Sequence, residues 1–264
     1  MQGIGRPDLS WPCVNRGGRG SLIRLETVPV LDKELALSPK SARALTFWQA
    51  RPGQIVTLID PEDHYCRGRL TAMTDSGASV VLFAQLPGPV ESPLQITVFQ
   101  ALPEKERFEL VLQKLTELGV HRIVPFQSQR STTLQERDAL QRKSHRWPDV
   151  LLRAARQCRR AMIPELGPVT DWSQVMSEAK ATQLALLLYE GKGQLGLARA
   201  LKQTQPSSLS LIVGPEGGFS AIEVAAAEER GVVTVSLGPR ILRTETAAIV
   251  AAGVCQALCG DLAE

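Results

Sequence analysis

The chain has 264 residues, of which 44% are hydrophobic and 22% are charged. This length suits one large or two smaller hydrophobic cores, and the composition is ordinary for a soluble globular protein. No apolar run approaches about 18 residues without a charge, which excludes a membrane span. We therefore expect a cytoplasmic protein that has no membrane partner.

The cysteines and histidines argue against a disulfide scaffold and against a metal site. The five cysteines are an odd number with no Cys-x-x-Cys pair, and the chain has only three histidines. Cys255 and Cys259 lie one helical turn apart, but no nearby histidine completes a set of ligands. We interpret both as buried thiols and expect no metal.

The net charge of +3 hides an uneven distribution along the chain. Residues 122–160 contain nine Arg and one Lys against three acidic residues, a local balance of +7. Such a cluster is typical of a nucleic-acid surface, although a solvated helix face is the alternative. The candidate RNA-binding residues are Arg130, Arg153, Arg156, Arg159 and Arg160.

The N-terminal third is predicted to be a short extension followed by a small β-rich unit. Residues 1–20 are rich in glycine and arginine and cannot form the apolar core of a signal peptide. They suggest a disordered basic arm or a misassigned upstream start codon, with a transit peptide as the less favoured alternative. Ser38-Pro39 begins a helix that ends near Trp48. Short apolar runs predict strands at residues 22–25, 54–60, 66–70 and 78–83. The proline-rich segment 87–93 is the expected boundary.

Beyond this boundary, strands alternate with helices, which predicts a mostly parallel sheet covered on both faces. The clearest helix spans residues 104–118, with an apolar face and Gly119 as its stop. A second helical region, 137–160, restarts at Pro148. The remaining predicted elements are strands at 94–99, 120–126 and 185–189 and a helix at 196–202.

A glycine-rich turn near the C-terminus joins a strand to a helix. Leu209, Leu211 and Val213 belong to a buried strand, and residues 214–218, Gly-Pro-Glu-Gly-Gly, must form a sharp turn. Ser220 and Glu223 have the spacing of a capping box, so a helix begins there. Unpaired backbone N–H groups gather at such a place and can hold a polar ligand.

A second stretch repeats this arrangement. A short strand at 232–235 leads through Gly238-Pro239 to a helix that Thr244 or Thr246 can cap. That helix is almost entirely apolar, which indicates burial in a core or against a partner chain. Each turn alone could be an ordinary connection of an α/β domain. A phosphate-binding loop is less favoured, because the chain lacks Gly-x4-Gly-Lys-Ser/Thr and lacks Gly-x-Gly-x-x-Gly after a first strand.

Together the two stretches resemble the bacterial 16S ribosomal RNA uracil-N3 methyltransferases, the RsmE family of the SPOUT superfamily. The matching motifs are Gly-Pro-Glu-Gly-Gly-Phe-Ser at 214–220 and Leu-Gly-Pro-Arg-Ile-Leu-Arg-Thr-Glu-Thr-Ala at 237–247. The helix at 108–120, the loop at 125–131 and the segment 154–164, with Arg156 where Glu is usual, are also similar to family motifs. The resemblance runs from about residue 94 to the C-terminus.

This resemblance implies an α/β fold with two domains and a homodimer. It implies a PUA-like RNA-binding β-barrel at residues 21–88 and a SPOUT methyltransferase domain, tied in a trefoil knot, at residues 94–264. The apolar C-terminal helix would then be the dimer face. The departures from the family fall mainly in the barrel, which leaves the choice of RNA target less constrained than the cofactor site.

The resemblance also implies S-adenosylmethionine as the methyl donor. The methyl group would go to N3 of a uridine in 16S ribosomal RNA of the small subunit, of the uracil(1498)-N(3) type. The implied cofactor-binding residues are Leu188, Gly191, Gly214, Glu216, Gly218, Leu237, Gly238, Ile241, Leu242, Arg243, Glu245 and Ala247.

The candidate catalytic residues follow from the chemistry of uracil N3, which carries a weakly acidic proton. An enzyme must remove this proton or stabilise the charge that develops on O2 and O4. Arg243 is the first candidate for stabilising that charge, Glu245 is a candidate base and Glu216 a second. Both glutamates could instead cap turns or pair with arginines. The competing functions are a SPOUT enzyme with another target and an RNA-binding or ribosome-assembly protein without turnover.

Overall fold

In the computed structural model, residues 17–74, 77–103, 105–133, 135–136, 146–191 and 194–262 are described. The N-terminal strands form a four-stranded antiparallel sheet in the order β1-β4-β3-β2. The helix α1 (Pro39–Phe47) begins at Ser38, whose hydroxyl accepts from the N–H of Ser41. The strands are β1 (Glu34–Leu37), β2 (Ile55–Ile59), β3 (Tyr65–Thr74) and β4 (Gly77–Gln85).

The segment before this sheet differs from the sequence prediction. The strand predicted at residues 22–25 is wrong, because only a single bridge forms there, between Arg24 and Ile59. Residues 1–16 of the expected extension lie outside the described residues. Its last residues enter a 3₁₀ turn, Gly18–Ser21, in which the N–H of Gly18 donates to the carbonyl of Ile163 (2.7 Å).

Within the described residues, the second sheet has eight strands, all paired in parallel, in the order β10-β12-β9-β11-β5-β6-β7, with β8 beside β6. This confirms the predicted α/β class with a mostly parallel sheet. The strands are β5 (Gln95–Ala101), β6 (Arg122–Gln127), β7 (Glu165–Leu166), β8 (Thr170–Asp171), β9 (Leu184–Leu188), β10 (Leu195–Gly196), β11 (Ser208–Val213) and β12 (Val233–Ser236).

Helices cover both faces of this sheet because alternate strand residues point to opposite sides. On β5, Val98 packs into one apolar cluster and Phe99 into the other. Part of the predicted 137–160 helix lies outside the described residues, and the described part begins at Trp147 with Pro148 in its first turn. The helices are α2 (Lys105–Glu117), α3 (Trp147–Gln157), α4 (Trp172–Glu178), α5 (Leu197–Thr204), α6 (Ala221–Glu228) and α7 (Thr244–Cys259).

The connection between the two sheets is held by a buried ion pair. Arg160 Nη2 lies 2.6 Å from Glu91 Oε2, and the two side chains are only 4% and 10% exposed. Arg160 Nη1 also donates to the carbonyl oxygens of Thr116 and Val120. Arg160 was predicted to bind RNA. Its guanidinium group is instead buried and bonded within the protein, so Arg160 is a structural residue.

None of the described helices is long and apolar enough to cross a bilayer.

Candidate functional site

A cavity of about 290 Å³ lies where β9 and β11 end, beside the start of α7. The carboxyl edge of a parallel sheet is the usual place for a ligand in α/β folds. The sequence-predicted residues that line this cavity are Leu188, Gly214, Glu216, Gly218, Ile241, Leu242, Arg243 and Ala247. The glycine-rich turn at residues 214–218 and the turn that precedes α7, here called the signature turns, therefore both contribute to one site.

The first turn is fixed by glycine conformation and by the predicted capping box. Gly218 has φ +66°, a left-handed conformation that glycine adopts without strain. Glu223 Oε2 accepts from the N–H of Ser220 (2.9 Å), and the hydroxyl of Ser220 accepts from the N–H of Glu223 (3.2 Å). This reciprocal pair starts α6 and confirms the capping box.

A neighbouring loop is docked onto this turn. The N–H of Gln129 donates to Glu223 Oε1 (3.0 Å), so the buried Glu223 carboxylate serves both segments. Arg130 Nη1 donates to the carbonyl of Gly217 (3.0 Å). Arg130, a predicted RNA-binding residue, therefore lies at the outside of the turn and helps to hold it.

The second turn enters α7 differently from the prediction. The residue that precedes the helix is Arg243, which makes no side-chain capping bond, so the predicted caps Thr244 and Thr246 are wrong. Thr244 Oγ1 instead donates to the carbonyl of Gly214 (2.5 Å) and accepts from Gln100 Nε2 (2.9 Å). The threonine hydroxyl thus ties α7 to the first turn and to the end of β5.

Arg107 on α2 is the main charged residue that the sequence interpretation missed. It lines the cavity, and its Nη1 lies 2.9 Å from Glu216 Oε1. Its Nε lies 4.0 Å from Glu245 Oε1, while the buried Glu245 Oε2 has no hydrogen-bond partner among the described residues. Arg107 therefore lies between the two carboxylates that were predicted as candidate bases.

Arg243, unlike Arg107, lies at the cavity without a carboxylate partner among the described residues. It lines the cavity, and its side chain is exposed. Among the described residues it has no side-chain hydrogen bond and no ion pair, so its guanidinium group is available to an incoming anion. Glu245, by contrast, lies beside Arg107 and does not line the cavity.

Several predicted positions lie outside the cavity wall. Gly191 packs beside the ring of Tyr189, and Gly238 has φ +106° within the second turn. Leu237, also predicted, does not line the cavity. The lining residues that sequence interpretation did not single out are Arg107, Glu190, Val213, Pro215, Phe219 and Thr244.

The other predicted RNA-binding arginines lie away from this cavity. Arg153 is exposed on α3. Arg156 donates to the carbonyl oxygens of Trp48 and Gln49, which belong to the N-terminal unit. Arg159, also exposed, follows α3 with φ +59°.

One group of side chains has the spacing of cation ligands: atoms of Asp60, Glu62 and His64 lie within 4.8 Å of one another. Asp60 Oδ1 accepts from the backbone N–H groups of Glu62 and His64, both at 2.9 Å. Asp60 Oδ2 lies 3.2 Å from His64 Nδ1. These bonds shape the turn between β2 and β3, so hydrogen bonding alone explains why the three side chains cluster.

Comparison with known proteins gives the site its context. A family model described as an RNA methyltransferase domain matches residues 90–256. Ribosomal RNA small subunit methyltransferase E of Mycobacterium bovis is 36% identical over 218 residues, which cover 80% of each chain. The chain belongs to the ribosomal RNA small subunit methyltransferase E family.

Other members of this family are similar over different lengths. The protein of that name from Bacillus subtilis is 34% identical over 166 residues, 61% of this chain and 65% of the relative. A crystal structure of the Neisseria gonorrhoeae protein of that name, bound to S-adenosyl methionine, is 30% identical. It has a TM-score of 0.64 and covers 91% of this chain and 98% of that one.

Proposed function

We propose that this protein transfers a methyl group from S-adenosylmethionine to N3 of a uridine in the 16S RNA of the small ribosomal subunit. The target would be of the uracil(1498)-N(3) type. The observation that carries this proposal is the cavity built by the two signature turns, with Arg243 at its wall and no ion pair to Arg243 among the described residues. The methyltransferase relatives and the cofactor bound to the Neisseria gonorrhoeae structure support it.

The residues of the cavity fit the chemistry of this cofactor. Leu188, Ile241 and Leu242 offer apolar surface for the faces of an adenine ring, and Ile241 is 84% exposed and so free to contact a ligand. The backbone of the turn at 214–218 offers N–H and carbonyl groups to the edge of that ring. When bound, the cofactor supplies a methyl group on a positively charged sulfur.

Arg243 would stabilise the negative charge that develops on the uracil oxygens as N3 loses its proton and gains the methyl group. Preorganised donors aimed at developing charge are often the largest single contribution to catalysis. Glu216, which lines the cavity, and Glu245 are the candidate proton acceptors. Because Arg107 lies against both carboxylates, it would hold them in position.

The finer features of the fold form part of this proposal. We infer that the antiparallel unit within residues 21–88 is a PUA-like RNA-binding barrel and that residues 94–264 form a SPOUT domain with a trefoil knot. In the strand order β12-β9-β11 the chain crosses β9 between β11 and β12, which is compatible with such a knot. The exposed Val250 on α7 supports a homodimer that buries this helix.

The test uses unmodified small ribosomal subunits, the protein and S-adenosylmethionine, followed by primer extension. A methyl group on N3 blocks the pairing edge of uracil, so one new stop at a uridine is expected. Arg243→Gln should slow methyl transfer by about 100-fold or more, the usual effect of removing one such donor. Arg240→Gln is the matched control, because Arg240 is an exposed arginine of the same turn that does not line the cavity. Equal rates for the two variants would rule out the role of Arg243.

A further inference from the structure

A cleft of about 380 Å³ lies between the N-terminal sheet and the C-terminal end of α3, apart from the cofactor cavity. Five arginines line it: Arg67 and Arg69 from β3, and Arg156, Arg159 and Arg160 from the end of α3 and the residues after it. The charge of Arg160 is paired with Glu91, and the site formed by the other four is hereafter called the arginine cleft. The described lining includes no acidic residue. The cleft thus collects positive charge from two distant parts of the chain.

These charges are held by neutral groups rather than by carboxylates. Arg67 Nη1 donates to the hydroxyl of Thr57 and to the carbonyl of Arg159 (3.0 Å). Arg69 Nη1 donates to the carbonyl of Gly53 (2.9 Å). Backbone carbonyls and hydroxyls orient a guanidinium group but do not neutralise it.

Arg156 on α3 and Arg159 after it likewise have no carboxylate partner among the described residues. Arg156 bonds only the carbonyls of Trp48 and Gln49, and the side chain of Arg159 has no hydrogen bond or ion pair among the described residues. By contrast, Arg122, from the same basic segment of the sequence, is paired with both Glu165 and Glu178. Arg156 and Arg159 of this segment therefore lie together in the cleft without a carboxylate partner among the described residues.

The surroundings of Arg67 and Arg156 disfavour their charged forms, first through burial and then through a neighbouring arginine. Burial, and then the charge of Arg159, lower the pKa of Arg67. Burial, and then the charge of Arg51, lower the pKa of Arg156. Like charges that are held together without a counter-ion raise the free energy of the empty cleft, and an anion that enters the cleft relieves this repulsion.

We propose that the arginine cleft binds the phosphodiester backbone of the RNA substrate. This inference rests on the proposed function in that RNA is taken as the substrate. Guanidinium groups match phosphate oxygens in geometry as well as in charge. Ile55, 52% exposed at the cleft, adds apolar surface that a ribose or an unstacked base can cover. Because the N-terminal sheet and the α3 region both contribute arginines, one bound strand would fix the orientation of both units on the RNA.

The test compares two double variants of equal charge. Arg69→Gln with Arg159→Gln removes two charges of the cleft and leaves in place Arg67 and Arg156, whose side chains each donate two hydrogen bonds within the protein. Arg199→Gln with Arg230→Gln is the control, because both are exposed arginines that line none of the described cavities. The probe is unmodified 16S RNA, whose dissociation constant is measured over a range of salt concentrations.

The cleft variant should bind the RNA roughly 10- to 50-fold more weakly near physiological salt. The negative slope of log affinity against log salt concentration should become shallower by about 2 units, one for each lost phosphate contact. In methyl transfer its KM for the RNA should rise while kcat and cofactor affinity, measured by calorimetry, stay unchanged. The control variant should keep the wild-type salt slope and KM.

The possible failures are distinguishable. If the wild type methylates the subunit and the cleft variant matches the control in slope and KM, the cleft proposal is overturned and the proposed function stands. If the wild type transfers no methyl group but the cleft variant still loses RNA affinity and salt slope, the cleft proposal holds and the proposed function fails. An unchanged thermal midpoint of both variants shows that the folds are intact.

Discussion

Glu223 joins the two segments that shape the candidate site, so its replacement by glutamine is an informative perturbation. The side chain is 2% exposed. Its Oε2 accepts from the N–H (2.9 Å) and the hydroxyl (3.0 Å) of Ser220, and its Oε1 accepts from the N–H of Gln129 (3.0 Å). Glu223→Gln keeps the shape and volume but replaces one acceptor oxygen by an NH₂ donor.

The size of the effect follows from this geometry. Either orientation of the new amide places its NH₂ against a backbone N–H, of Ser220 or of Gln129, which is left without an acceptor. Hydrogen bonds to a charged group contribute about 1.5–3 kcal/mol, so we expect Glu223→Gln to lower the free energy of unfolding by about 2–3 kcal/mol. At roughly 2–4 °C per kcal/mol, the thermal midpoint falls by about 4–12 °C.

Urea unfolding of the wild type, Glu223→Gln and Glu229→Gln measures this effect. Glu229 follows the same helix and is exposed, with no side-chain bond among the described residues, so its variant should lie within about 0.5 kcal/mol of the wild type. Calorimetry should also show weaker S-adenosylmethionine binding by Glu223→Gln, because the turn at 214–218 loses its support. A loss below about 1 kcal/mol, or equal losses in both variants, would refute this account of the capping box.

Three further predictions concern buried groups. Arg160→Met leaves the carboxylate of Glu91 buried without its partner, so urea unfolding should show a loss of about 3–5 kcal/mol, while Arg153→Met on the exposed face should change little. Burial raises the pKa of Cys255 to about 12, so peptide mapping after brief alkylation at neutral pH should find this thiol unmodified until denaturant is added. Burial, and then the charge of Arg160, lower the pKa of His121. The unfolded chain then takes up this proton more readily, so wild-type stability should fall as the pH drops below about 6.5 toward the folded pKa, and His121→Gln should reduce that dependence.

Local patterns predicted most of the elements, and the exceptions have physical reasons. The periodicity of α2 is strong, and Phe108, Val111, Leu112 and Leu115 are fully buried as expected. The failed strand at residues 22–25 pairs at one point only, and whether a short apolar run finds a strand partner depends on distant residues. The sequence of residues 22–25 alone therefore does not predict which strand they pair with.

In the candidate site too, the features set by neighbouring residues were predicted and those set by distant residues were not. Glycine, proline and the capping box located both turns, because these residues act on the backbone next to them. Gln100 lies 144 positions from Thr244 and Arg107 lies 109 from Glu216, so only tertiary packing brings these pairs together. Thr244 failed as a predicted cap for this reason: its hydroxyl is engaged in tertiary hydrogen bonds instead.

The charge pattern of the cavity follows from Arg107. Two carboxylates, Glu216 and Glu245, lie near a turn that also carries Arg243, and a count of charges in the sequence would pair them with that arginine. Arg107, supplied by α2, lies 2.9 Å from one carboxylate and 4.0 Å from the other. Because both carboxylates lie against a cation from elsewhere in the fold, Arg243 keeps its charge exposed at the cavity wall. An arginine in this state gains most when an anion arrives, which is the condition that the proposed transfer to a deprotonated uracil would create.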